Sequence, residues 1–110
     1  GSMFTGRVGA DVDLEYGYQS ARQTGLAILA TLKANLGSLD RVNKVVKTLG
    51  MVNCSPDFGE QPKVINGYSD LMAEVFGPDN GVGARSAVGM GALPGNITTE
   101  IEVILELNDE

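Results

Sequence analysis

The residues best suited to chemistry lie late in the chain. Arg85 is followed by three spaced carboxylates, Glu100, Glu102 and Glu106. A guanidinium presents a planar fork that can meet a carboxylate through two hydrogen bonds. The plain alternative for Arg85 is an ion pair with a glutamate on its own sheet face. For Glu100 the alternative is an exposed strand residue, and Glu102 and Glu106 read as solvated. The chain has no histidine, which excludes imidazole acid–base chemistry and imidazole metal ligation. The single cysteine, Cys54, excludes an intrachain disulfide and any multi-cysteine zinc site. It has no evident basic neighbour to lower its pKa and reads as a buried structural thiol. Gly81-Val82-Gly83 and Gly89-Met90-Gly91 make no phosphate loop, because no Gly-Lys-Ser/Thr follows either.

The elements that position these residues start from the segment Val82–Leu107. It reads as two strands joined by a Pro-Gly-Asn turn. Alternation places Arg85, Ala87, Gly89 and Gly91 on one face and Val88, Met90 and Ala92 on the other. On the second strand Ile101, Val103, Leu105 and Leu107 oppose Glu100, Glu102, Ile104 and Glu106. A hairpin register that keeps the apolar sets together seats Val88 and Met90 among Ile101 and Val103. It also puts Arg85 and Glu100 on one face, about 7–20 Å apart. Small residues on that face leave room above the sheet.

Upstream, Met3–Ala10 reads as an extended arm. Asp13 is a helix N-cap, and Leu14, Tyr18, Ala21, Gly25, Leu29, Leu32 and Leu36 recur at helical spacing. Gly37 closes this helix, and Gly25 is expected to let it pack closely on the sheet. Ser38–Val42 is a connector. Asn43–Cys54 is a strand, with Val45, Leu49 and Met51 on one parity and Val46 and Val52 on the other. Apolar residues on both faces predict a central strand or one covered by a partner subunit. Pro62 opens a second helix, with Val64, Ile65, Tyr68, Leu71, Met72, Val75 and Phe76 on its apolar face. Gly77-Pro78 ends it. The order is arm–α–β–α–β–β, an α+β layer pair with two helices on one face of a small mixed sheet.

The 110 residues make a single domain with an expected two-layer core. Hydrophobic residues are 43% of the chain, which argues against disorder. A net charge of −6 with eight scattered basic residues disfavours a nucleic-acid or anionic-membrane surface. No long apolar run is present, and a cytoplasmic location is the default expectation. Gly1-Ser2 reads as an expression scar, with Met3 as the natural start.

Several motifs together resemble the RidA family, also called YjgF/YER057c/UK114. They are Ala84-Arg85-Ser86-Ala87-Val88, Leu93-Pro94 and Glu100-Ile101-Glu102, with the fifteen-residue step from arginine to first glutamate kept. Thr5-Gly6-Arg7-Val8-Gly9-Ala10, Leu39-Asp40-Arg41-Val42 and Pro62-Lys63-Val64-Ile65-Asn66-Gly67 extend the likeness. The resemblance implies a chorismate-mutase-like fold and a homotrimer. It also implies hydrolysis of 2-imino acids, formed through enamines, to 2-keto acids and ammonia, with no metal or cofactor. Arg85 would bind the substrate carboxylate, and backbone groups at Ala87 would hold the same end. Glu100 would position the attacking water, and Asn66 would lie near the site. Family members carry a longer N-terminal segment, an initial β-hairpin that adds a tyrosine and a serine to the site. This chain begins after it.

The expectation is therefore a truncated RidA-like domain that binds a small carboxylate-bearing ligand, a 2-imino or 2-keto acid, at a subunit interface. Imine or enamine hydrolysis is the candidate chemistry. The rivals are a non-enzymatic ligand-binding or protein-interaction module and an endoribonuclease. Neither a nucleic-acid partner nor a membrane is expected.

Overall fold

The structure, a computed structural model, describes residues 3–108, so the expected scar at Gly1-Ser2 lies outside the described residues. Helix α1 spans Leu14–Leu36. The Asp13 side chain accepts from the Tyr16 N–H, and Gly37 closes the helix in the left-handed conformation at φ 84°. A single 3₁₀ turn, Leu39–Arg41, leads into β1, Val42–Asn53. Helix α2 covers Gln61–Phe76, with Pro62 in its first turn, where no intrahelical N–H is needed. Strands β2, Ala84–Met90, and β3, Thr99–Leu107, complete the order. Two helices on a small mixed sheet are what the sequence predicts.

The expected hairpin is not formed. The sheet order is β2-β1-β3, with β2 parallel to β1 and β3 antiparallel to it. β1, α2 and β2 make a βαβ unit, whose helical crossover returns the chain parallel to its starting strand. The segment after β2 passes over the end of β1 instead of turning back. It bends through Pro94–Asn96, where Gly95 and Asn96 take positive φ of 64° and 56°. Asn53, fully buried at the end of β1, holds this crossing segment. Its Nδ2 donates to Asn96 Oδ1 and to the Ile97 carbonyl, both at 3.0 Å.

The core correspondingly departs from the hairpin expectation. Ile101 and Val103 pack toward the helices, against the cluster of Ala21, Leu29, Tyr68, Leu71 and Met72. Val88 lies on the opposite face and is 37% exposed. β1 is the central strand, as its two-sided apolar pattern predicts. Its parity breaks at irregularities after Val42 and Val45. The extra residue lets Val45 face the helices with Thr48 and Val52, while Leu49 and Met51 face away. Alternation alone had grouped Val45 with Leu49 and Met51.

Glycines set the helix packing. A Cβ on Gly25 would meet Leu71 Cδ2 at 2.9 Å, so this glycine admits α2 rather than the sheet. A Cβ on Gly67 would overlap the Tyr18 carbonyl of α1. The arm joins through isolated bridges, Thr5 to Ile97 and Val8 to Cys54. Val8 is fully buried with Val52, Val64 and Ile65.

Candidate functional site

Arg85 is the second residue of β2, an outer strand paired on one side only among the described residues. Its register partner is Thr48, a helix-facing position, so Arg85 also points toward α2. There Nη1 donates to Asn66 Oδ1 at 2.8 Å and to Ser69 Oγ at 3.1 Å. Asn66 and Ser69 are three apart on α2 and so share a face. Both acceptors are neutral. Among the described residues no carboxylate lies within ion-pair distance of Arg85, so the same-face ion pair is absent. The guanidinium is half-buried and oriented, and no described carboxylate neutralises its charge.

The structure brings Asn66 to Arg85 and adds Ser69, which the sequence reading missed. Its signal was available: once Asn66 is placed beside an arginine, the residue one helical turn later is its neighbour. Ala87 lies two residues along the same face, packed against the Val52–Ile65 cluster. The small residues of this face admit α2 rather than leaving open space. A Cβ on Gly50, beside Ala87, would meet Ile65 at 2.7 Å.

Glu100 is not brought to Arg85. It pairs with Met51, which faces away from the helices, whereas Arg85 pairs with Thr48, which faces them. The two side chains therefore project from opposite faces of the sheet, and from strands separated by β1. The expectation of a shared face fails because it rested on a direct β2–β3 hairpin. Glu100 instead borders a groove of about 310 Å³ between α1 and the outer edge of β3. A hydroxyl chain lies at that groove. Ser20 Oγ and Thr99 Oγ1 are 2.7 Å apart, and Thr24 Oγ1 is 3.4 Å from Thr99 Oγ1. Glu102 is exposed, and Glu106 is exposed beside Lys44 at 4.0 Å.

The hydroxyl of Thr48, the register partner of Arg85, and that of Tyr68 are buried near each other without a well-formed hydrogen bond. Burial pushes the Tyr68 phenol above its ordinary value, with the nearby Thr48 hydroxyl opposing the shift. No cluster of three metal-ligating side chains occurs among the described residues, nor is any helix there long and apolar enough to cross a membrane.

The whole chain can now be placed among known proteins. A family model described as "YjgF/chorismate mutase-like, putative endoribonuclease" matches residues 1–107. The chain belongs to the YjgF family. This YjgF-family chain is 43% identical over 109 residues to Protein TCP17 of Trypanosoma cruzi, spanning 99% of this chain and 68% of that protein. It superposes on Atu1372 of Agrobacterium tumefaciens, a protein described as of unknown function, with a TM-score of 0.91 and 44% identity. The match covers 96% of this chain and 67% of that one. A Shewanella oneidensis protein called a "putative endoribonuclease" superposes with a TM-score of 0.88 at 31% identity, over 94% of this chain and 68% of its own. The two helices and three strands of this chain thus match the corresponding two thirds of both solved structures.

Proposed function

We propose that this YjgF-family chain binds a small carboxylate-bearing ligand, a 2-imino or 2-keto acid, with Arg85 as its anchor. One observation carries the reading: Arg85 is held by the neutral oxygens of Asn66 and Ser69, with no carboxylate within ion-pair distance among the described residues. A guanidinium fixed through one nitrogen keeps other donors for an incoming carboxylate. The candidate chemistry is hydrolysis of an imine or enamine to a keto acid and ammonia. An imine is already electrophilic, so holding it beside an oriented water is enough to accelerate attack.

Glu100 is the candidate for positioning that water, and it must act on a ligand held by a different copy of the chain. The opposite-face geometry supports a site shared between subunits of a homo-oligomer, a trimer being the family-like arrangement. The same geometry favours a second reading, a ligand-binding module without turnover, wherever no second copy supplies Glu100. The endoribonuclease reading carried by relatives' names finds less support here. A net charge of −6 offers little for a phosphate backbone.

The test is ammonia release from freshly generated 2-aminoacrylate, with wild type beside Arg85→Ala. Turnover that falls about a hundredfold or more in the variant is expected, as for losing a charge-assisted contact of about 3 kcal/mol. No turnover above buffer from a folded oligomer would overturn the hydrolase reading. Saturable pyruvate binding, lost in Arg85→Ala, would then leave the binding module.

A further inference from the structure

A separate cleft of about 350 Å³ opens at the carboxyl ends of β1 and β2, beside the start of α2. The walls include Arg7 from the arm, Cys54 and Ser55 past β1, Gln61 of α2, and Gly89 to Gly91 at the end of β2. Arg85 is far from it along β2, since Gly89, the first strand residue of the lining, is four residue steps on, about 13 Å.

The charge of this cleft is one-sided. Arg7 Nη2 donates to the Cys54 carbonyl at 3.1 Å, while Nε is buried with no acceptor. Asp11 accepts from the Arg7 main-chain N–H at 3.0 Å, but Arg7 makes no ion pair among the described residues. No carboxylate lines the cleft. The nearby Glu60 is engaged with Lys63 at 2.7 Å. Nε is too enclosed to meet a ligand, but Arg7 lines the cleft and its Nη groups carry donors beyond the one given to Cys54, which an oxyanion can accept. Gln61 Nε2, which donates to the Phe58 carbonyl at 2.8 Å, stands 3.7 Å from Cys54 Sγ and supplies a second polar wall. Gly89 is matched to this wall, because a Cβ there would stand 2.8 Å from Gln61 Nε2 and 2.9 Å from Cys54 Sγ.

We infer that this cleft is a second binding site, independent of Arg85, for a small oxyanion, with Arg7 as the countercharge. Its volume is ample for a small acid or an inorganic oxyanion. The ligand's shared chemistry is a compact anionic oxygen group, found in carboxylates and in phosphate alike.

The experiment titrates inorganic phosphate and pyruvate, in separate arms, into the ¹⁵N-labelled chain at constant ionic strength, with chloride as control. Saturable shifts at the Ser55, Gly89 or Gly91 amides are expected with at least one probe, and the responding arm names the class. Arg7→Gln should weaken that response at least tenfold. Gly91→Asp should do the same while leaving the fold intact, since a Cβ at Gly91 meets no atom within 4 Å. Arg85→Gln should leave it unchanged. No saturable shift with either probe at tens of millimolar would overturn the proposal. So would an equal response to chloride, an affinity indifferent to Gly91→Asp, or a response lost in Arg85→Gln.

Discussion

Arg85 Nη1 donates to Asn66 Oδ1 at 2.8 Å, joining the edge strand β2 to the middle of α2. The arginine is thereby aimed without being neutralised. Asn66→Asp distinguishes these two effects, since it keeps the side chain's size but places a carboxylate against the guanidinium. The expected outcome is a loss of pyruvate affinity larger than that in Asn66→Ala, by about tenfold, read by calorimetry. Equal losses in the two variants would show that Asn66 only orients.

Ser69 is the second acceptor, 9% exposed. Ser69→Ala should weaken ligand binding by about 1.5 kcal/mol, the lower end for one hydrogen bond to a charged group. In turnover measurements the loss should appear in KM more than in kcat, because the contact holds the anchor in ground and transition states alike.

Asn53 is a structural counterpart, buried at the point where the chain crosses from β2 to β3. Asn53→Ala strands the Ile97 carbonyl and removes the link to Asn96. The expected cost is about 1–3 kcal/mol in urea unfolding, with the slope of the transition unchanged.

Much of this architecture is legible in the sequence, and most of its failures share one cause. Asp13, Gly37, Pro62 and Gly77 mark helix ends through local chemistry, so both helices are readable. The two-sided apolar pattern of Val45–Val52 correctly marks a central strand. Strand pairing is not local. Pro94-Gly95-Asn96 has hairpin-turn composition, yet the residues on either side are separated by β1. The better signal was the sixteen-residue helix between β1 and β2, whose length makes a parallel crossover. That single misreading moved Val88 into the core and Glu100 onto the face of Arg85. The bulge after Val45 was equally invisible, because alternation assumes an unbroken period of two. Arg85 and Asn66 were legible as a pair only through the family motif. Ser69 follows from Asn66 once the helix is drawn.

Tyr68 makes a pH prediction. Its phenol is buried, and its folded-state pKa is raised above the ordinary value of 10.0. Below that value both folded and unfolded chains keep the proton, and the contribution to stability is constant. Above it the unfolded chain releases the proton first, so stability falls as pH rises through the raised folded value. Tyr68→Phe should flatten this alkaline loss in urea unfolding above pH 10. Near neutrality it should be neutral or stabilising by up to about 1 kcal/mol, because the hydroxyl it removes makes no well-formed hydrogen bond, its neighbour Thr48 lying outside good geometry. Destabilisation at neutral pH would indicate a partner for that hydroxyl.

The opposite-face placement of Arg85 and Glu100 leads to the most direct measurement, subunit complementation. Arg85→Ala and Glu100→Gln chains, each inactive alone, are mixed, unfolded and refolded together, and ammonia release from 2-aminoacrylate is followed. A site assembled from Arg85 of one subunit and Glu100 of another predicts recovery, roughly a quarter of wild-type turnover for random mixing. Mixed oligomers that form but remain as inactive as their parents would contradict a shared site.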